Sequence, residues 1–177
     1  MSPPYLLARQ SLARCAPLRM RSYIPRVRRT DPALRVMTDF LHDPPLTVPE
    51  HVSVEHAVDQ MFRLGVRAAL VVRDRHVVGL LTATQAARHV RHASSGAHCA
   101  RIAEAMTPTD DAPAIDWDTL GDALVADLIE IFDGTGVEHL VVIESHSATL
   151  STVRGLVHRE RLRRALSSPW SLRTGLG

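Results

Sequence analysis

The chain has 177 residues, a mass of 19.5 kDa and a formal net charge of +2, a size that suits one compact domain or two small half-domains sharing a core. Hydrophobic residues make up 45% of it and aromatics only 4%, so the core has to be aliphatic, as it is where short strands pack against helices. No run approaches the roughly 20 apolar residues of a membrane span, no apolar segment of a secretory signal opens the chain, and Cys15 and Cys99 lie too far apart in dissimilar segments to suggest a disulfide framework. A reducing cytoplasmic setting is therefore expected.

The first 32 residues read as an Arg-rich tail. Arg9, Arg14, Arg19, Arg21, Arg26, Arg28 and Arg29 precede the first acidic residue, Asp31, and every Lys/Arg position in the chain is Arg. The segment has the basic, acid-poor look of a transit peptide, but Pro3, Pro4, Pro17 and Pro25 interrupt the helix such a peptide needs. It reads instead as a disordered or loosely docked tail. With only Tyr5 and Tyr23 it lacks a base-stacking platform, so nucleic acid is not the expected partner.

Beyond the tail the chain repeats itself. Val36-Met37-Thr38 returns as Ala105-Met106-Thr107, and Thr47-Val48-Pro49 as Ala114-Ile115-Asp116. Val54-Glu55-His56-Ala57 aligns with Leu120-Gly121-Asp122-Ala123, Gly65-Val66 with Gly136-Val137, Leu70-Val71-Val72 with Leu140-Val141-Val142, and Gly79-Leu80-Leu81 with Gly155-Leu156-Val157. The extra residues of the second copy fall at Glu144 to Thr152, where a hairpin lengthens. Order kept over this many landmarks marks an internal repeat.

Each copy predicts β-α-β-β-α. In the first, a strand at 46–48 stops at Pro49, and Ser53 is positioned to cap a helix that carries Val54, Ala57, Val58, Met61 and Phe62 and ends at Gly65. Ala68–Val72 and Val77–Leu81 read as a hairpin about Asp74-Arg75, and Thr82 opens a second helix to about Val90. In the second copy, a strand at 113–115 leads into one helix with Leu120, Ala123, Leu124, Leu128, Ile131 and Phe132 on a face. Strands at 138–143 and 153–157 and a helix from His158 to about Leu166 follow. Leu34 and Met37 form a lead-in to the first copy, and Ile102, Ala105 and Met106 one to the second. The predicted organisation is a tail at 1–32, a first domain at 33–91, a linker at 92–100, a second domain at 101–166 and a C-terminal tail at 167–177. One copy is too small to bury much core alone, so the fold class expected is α/β (α+β), two repeats packed through their sheets with pseudo-two-fold symmetry.

The series Met37-Thr38, Pro49, Ala57, Met61, Gly65-Val66-Arg67, Leu70-Val71-Val72, Gly79-Leu80-Leu81-Thr82, met twice, resembles the CBS domain, and the two copies together resemble a CBS pair, or Bateman module. The resemblance covers roughly residues 33–166. It implies a regulatory module that takes AMP, ADP, ATP or S-adenosylmethionine between the copies and modulates a partner protein.

The family ends each copy with Gly-apolar-x-Thr/Ser-x-x-Asp/Asn, in which the carboxylate holds the ribose hydroxyls. Charge-assisted acceptance from two hydroxyls suits that role, and the free N–H groups of a helix start suit a phosphate. Copy one reads Gly79-Leu80-Leu81-Thr82-Ala83-Thr84-Gln85. Thr82 and Thr84 fit, while the neutral Gln85 replaces the acid and weakens ribose binding. Thr82-x-x-Gln85 is equally a capping box that needs no ligand. Copy two places His158, Arg159 and Arg161 there, which fits an anion or a solvated basic face better than adenosine. The resemblance adds Val48, Pro49, Arg67 and Ala68 in copy one, and Ile115, Glu138 and His139 in copy two.

Two function classes remain. One is a nucleotide-responsive regulator; the other is a dimerisation or protein-interaction module whose nucleotide sites have degenerated. An isologous homodimer is the default assembly. No convergent acid, base and nucleophile set marks an enzyme. His89, His92, His98 and Cys99 cluster without a metal-ligand spacing, so no metal is expected.

Overall fold

The computed structural model describes residues 26–93, 101–147 and 149–166. Most of the tail, His98 and Cys99 of the linker, and residues 167–177 lie outside the described residues, as does the side chain of His92. The described elements are strands β1 Thr38–Asp39, β2 Thr47–Pro49, β3 Ala68–Arg73, β4 His76–Thr82, β5 Thr107–Pro108, β6 Ala114–Asp116, β7 His139–Ser147 and β8 Leu150–His158. The helices are α1 Val54–Leu64, α2 Ala83–Ala93, α3 Ile102–Ala105, α4 Trp117–Asp122, α5 Val125–Thr135 and α6 Arg159–Leu166, and a 3-10 turn spans Ala33–Val36. The strands form two four-stranded sheets, ordered β2-β3-β4-β5 and β1-β8-β7-β6.

The lead-ins are exchanged. β1, at the head of copy one, pairs antiparallel with β8 in the sheet of copy two, and β5, at the head of copy two, pairs antiparallel with β4 in the sheet of copy one. The cores follow: Val27, Ala33, Val36 and Met37 pack with Leu128, Phe132 and Val157, whereas Ile102 and Ala105 pack with Val54, Ala57, Met61 and Leu81. The sequence repeat therefore divides the chain differently from its packing. Residues 27–37 belong to the core of the second half, and the last stretch of the predicted tail is docked there, with Val27 N–H donating to the Ala165 carbonyl at 3.3 Å.

The exchange explains why Met-Thr and Gly recur as landmarks. A Cβ on Gly79 would stand 2.6 Å from Met106 Sδ and 2.7 Å from the Thr107 carbonyl; a Cβ on Gly155 would stand 2.7 Å from Met37 Sδ and 2.6 Å from the Thr38 carbonyl. Each glycine is thus the seat on which the other repeat's Met-Thr strand lies, and no larger residue fits beneath a paired backbone. Between the sheets a third cluster joins the halves, with Leu70, Leu80 and Val141 buried and Phe40, Val77, Ile143 and Leu156 packed against them.

The first helix of copy one forms as expected. Ser53 Oγ accepts from His56 N–H at 3.2 Å, and Gly65 ends the helix at φ 64°. Its counterpart is not the single helix predicted for copy two. That segment breaks into α4 and α5 at Ala123 and Leu124, which are extended. The break is held from both sides: the Asp127 carboxylate accepts from Leu124 N–H at 2.7 Å, Ala33 N–H donates to the Ala123 carbonyl at 2.9 Å, and Val125 N–H donates to the Asp31 carbonyl at 2.9 Å. A residue far away in sequence thus completes the helix start, and heptad-like spacing carries no sign of that.

The break corrects the alignment of the repeats. Leu124 and Ser53 occupy matching N-cap positions, each bridged to the opposite lead-in, Leu124 to Pro32 and Ser53 to Arg101. Val54 of α1 therefore corresponds to Val125, Ala57 to Leu128 and Met61 to Phe132, and α4 is an insertion. Strand register moves the next landmark by one residue. Val71 pairs with Gly79 and Val142 with Gly155, so Ala69-Leu70-Val71 matches Leu140-Val141-Val142. The longer hairpin of copy two is found where expected, in β7 and β8.

Candidate functional site

The corrected register sets out matching positions where each sheet meets its last helix. Ala68 pairs with Thr82, and His139 with His158. Ala83 N–H donates to the Arg67 carbonyl at 2.8 Å, and Arg159 N–H donates to the Glu138 carbonyl at 2.9 Å. The residue pairs Arg67 and Glu138, Ala68 and His139, Thr82 and His158, Thr84 and Glu160, and Gln85 and Arg161 are therefore equivalent by position and unlike in chemistry.

In copy one the capping box is complete. Thr82 N–H and its hydroxyl both donate to Gln85 Oε1 at 2.9 Å, and Gln85 N–H donates to Thr82 Oγ1 at 3.2 Å. Gln85 Nε2 also donates to Thr107 Oγ1 at 2.6 Å, so its amide ties α2 to the exchanged strand β5. Both residues are occupied in holding the fold. Thr84 differs: it is exposed, and its hydroxyl donates to Glu138 Oε2 across the repeats at 3.0 Å.

Beside Thr84 opens a cleft of about 560 Å³ lined by Val58, Arg67, Ala83, Thr84, Ala87, Val90 and Arg91. That volume lies within the range of small-molecule pockets. Val58 comes from α1, and the side chains from Ala83 to Arg91 come from α2. The floor is aliphatic and the charged groups are the two exposed guanidiniums of Arg67 and Arg91.

In copy two the positions of Ala68 and Thr82 carry two imidazole rings. The rings of His139 and His158 meet edge to face with centroids 4.2 Å apart. Glu160 N–H donates to His158 Nδ1 at 2.9 Å, so His158 replaces Thr82 as the cap of its helix. Accepting at Nδ1 leaves the neutral ring's proton on Nε2. That atom, both ring nitrogens of His139, and Arg161 Nε are buried with no hydrogen-bond partner among the described residues. Burial, reinforced by His158 and Arg67, lowers the His139 pKa to about 3; burial first, then Arg67, lowers that of His158. Both rings are thus held neutral. Burial also pushes the Arg161 guanidinium down, opposed by Asp43. Arg159 is engaged with Asp133 at 2.6 Å.

Of the residues the sequence points to, Arg67 and Thr84 line the cleft together. Val48 lies buried in the first core, with Pro49 exposed at the end of its strand, and Ile115 packs against the second core. Ala68 packs against the cluster between the sheets. Thr82 and Gln85 close their own box, and His139, His158, Arg159 and Arg161 stand in copy two as described. Sequence reasoning missed Val58, Ala87, Val90 and Arg91. The spacing of Ala83, Ala87 and Val90 on one helix face was the available signal. His89 Nδ1 donates to the Gln85 carbonyl at 3.2 Å, a contact within the helix.

The CBS domain family model matches residues 18–92. No curated protein sequence matches the chain. Among solved structures, the chain is similar to an uncharacterized conserved protein from Pyrococcus horikoshii at 18% identity and TM-score 0.59, over 85% of this chain and 98% of that one. It is similar to CBSX2 in complex with AMP, a CBS-pair protein of Arabidopsis thaliana, at 16% identity and TM-score 0.54, over 76% of this chain and 95% of that one. A CBS domain pair in complex with 5′-methylthioadenosine and S-adenosyl-L-methionine matches at 16% identity and TM-score 0.54, over 75% of this chain and 96% of that one. At these identities the likeness establishes the fold. Among the described residues, no helix is long and apolar enough to cross a membrane.

Proposed function

We propose that this chain, which matches the CBS domain model over residues 18–92 and has the fold of CBS-pair structures, is a regulatory module that binds one adenosine-containing ligand in copy one and relays its occupancy to a partner protein. The observation that carries this reading is the open, aliphatic cleft with Arg67, Arg91 and Thr84 in copy one, where copy two places the carboxylates Glu138 and Glu160 at the positions of Arg67 and Thr84. Similar folds hold AMP, 5′-methylthioadenosine or S-adenosylmethionine, which supports the ligand class. An adenine ring suits the floor of Val58, Ala83, Ala87 and Val90, and anionic groups suit the two guanidiniums. Gln85 takes no part, because its amide is engaged with Thr82 and Thr107. The mode of binding thus departs from the ribose-carboxylate contact that the family resemblance implies.

Occupancy has a route to the rest of the molecule, since the cleft adjoins the bond from Thr84 to Glu138 that joins the repeats. A ligand shifts their relative pose only by binding one pose more tightly. The test is thermal unfolding with and without AMP, ATP and S-adenosylmethionine. A ligand at about 100 times its Kd stabilises by about 2.7 kcal/mol, a midpoint rise of several degrees. A rise with one of them that Arg67→Ala removes supports the reading. No rise at millimolar concentrations would leave the interaction-module alternative, for which the 86% exposed Phe62 on α1 is the feature to pursue.

A further inference from the structure

We infer that the copy-one cleft selects a phosphate-bearing ligand and that Glu138 is its built-in competitor; the inference rests on the ligand-binding reading above. The charged residues that line the cleft are Arg67 and Arg91, and no acidic side chain lines it. A cationic sulfonium or amine meets two guanidiniums there, whereas a phosphate meets two partners of opposite charge. The remaining polar group is the Thr84 hydroxyl, and its single proton is given to Glu138 Oε2 at 3.0 Å. Glu138 stands in copy two where Arg67 stands in copy one, so one repeat supplies the cation and the other a carboxylate at the same mouth. A phosphate that takes the Thr84 proton has to displace the carboxylate, which is exposed and returns to water at little cost.

The displacement has a structural consequence. Thr84 lies on the second helix of copy one, and Glu138 directly precedes β7 of copy two. Exchange of carboxylate for phosphate cuts a polar tie between the repeats when the ligand arrives. Ligand selection and the loosening of the repeats are thereby one event.

Calorimetric titration of the full chain with inorganic phosphate, AMP and S-adenosylmethionine tests this, using Glu138→Ala and, as a control for net charge, the exposed and remote Glu130→Gln. The expected order is AMP tighter than S-adenosylmethionine by about tenfold, from loss of the charge-assisted contacts. Glu138→Ala should tighten both phosphate and AMP by roughly two- to fivefold at low salt, with Glu130→Gln unchanged. Equal affinities for AMP and S-adenosylmethionine, an unchanged Kd in Glu138→Ala, or equal gains in both variants would overturn the inference while leaving the site itself intact. Binding of none of the three probes by wild type and Glu138→Ala would overturn the functional reading as well.

Discussion

The two repeats share a backbone plan and differ in what fills it. Copy one places Ala68, Thr82 and Gln85 where copy two places His139, His158 and Arg161. The small set closes a capping box and leaves a cleft beside it. The large set packs two rings together and buries polar atoms without partners. Duplicated architecture has therefore produced two helix starts of unlike chemistry. The fold tolerates this because the cores beneath them, Val54, Ala57 and Met61 against Val125, Leu128 and Phe132, remain equivalent.

The cores give the largest expected effects. Phe132→Ala removes a fully buried ring and should cost about 3–5 kcal/mol in denaturant unfolding, and Met61→Ala at the matching position about 2–5 kcal/mol. A large difference between them would mean that the halves do not share the load. The exchanged strands come next. Gly79→Ala and Gly155→Ala each drive a Cβ into a backbone carbonyl, and each should cost about 1–3 kcal/mol. Destabilisation by only one of them would break the symmetry of the exchange.

The histidine pair distinguishes the repeats by pH. With an ordinary value of 6.5 and a folded value of about 3, His139 takes up a proton in the unfolded state well before it does in the folded state. Stability is then complete above pH 6.5 and falls as pH drops below it, by about 1–2 kcal/mol between pH 6.5 and 5. Urea unfolding across that range should show the slope, and His139→Ala should flatten it. An identical slope in the variant would assign the acid sensitivity elsewhere. The smallest effect lies at the matching helix starts. Ser53 caps its helix with a side chain, whereas Leu124 is 42% exposed and offers none. Ser53→Ala should cost about 1 kcal/mol, and Leu124→Ser should gain about 0.5 kcal/mol.

Much of this plan was legible in the residues. Ser53 and Gly65 announced helix ends, the apolar runs announced hairpins, and the longer hairpin of copy two showed as added length. The turn at Asp74-Arg75 was also readable, although both residues adopt positive φ, 48° and 68°, without a glycine. The strand exchange was not readable, because a lead-in such as Val36-Met37-Thr38 carries the same local pattern whichever sheet it joins. The break before α5 was hidden for a similar reason: Leu120, Leu124 and Leu128 suit a continuous helix, and Asp31 and Ala33, far away in the chain, open it. At the site, spacing identified Thr82-x-x-Gln85 but not its occupation by Thr107. The ring pair of copy two depended on His139 and His158 facing each other across β7 and β8, which the strand register determines.

The most direct test of the account is the stoichiometry of AMP binding by isothermal titration calorimetry, on the wild-type chain and on Arg67→Ala. One AMP per chain is expected, with binding lost or weakened by about tenfold in Arg67→Ala. Two AMP per chain, or one whose affinity is indifferent to Arg67, would contradict the assignment of a single adenosine site to copy one.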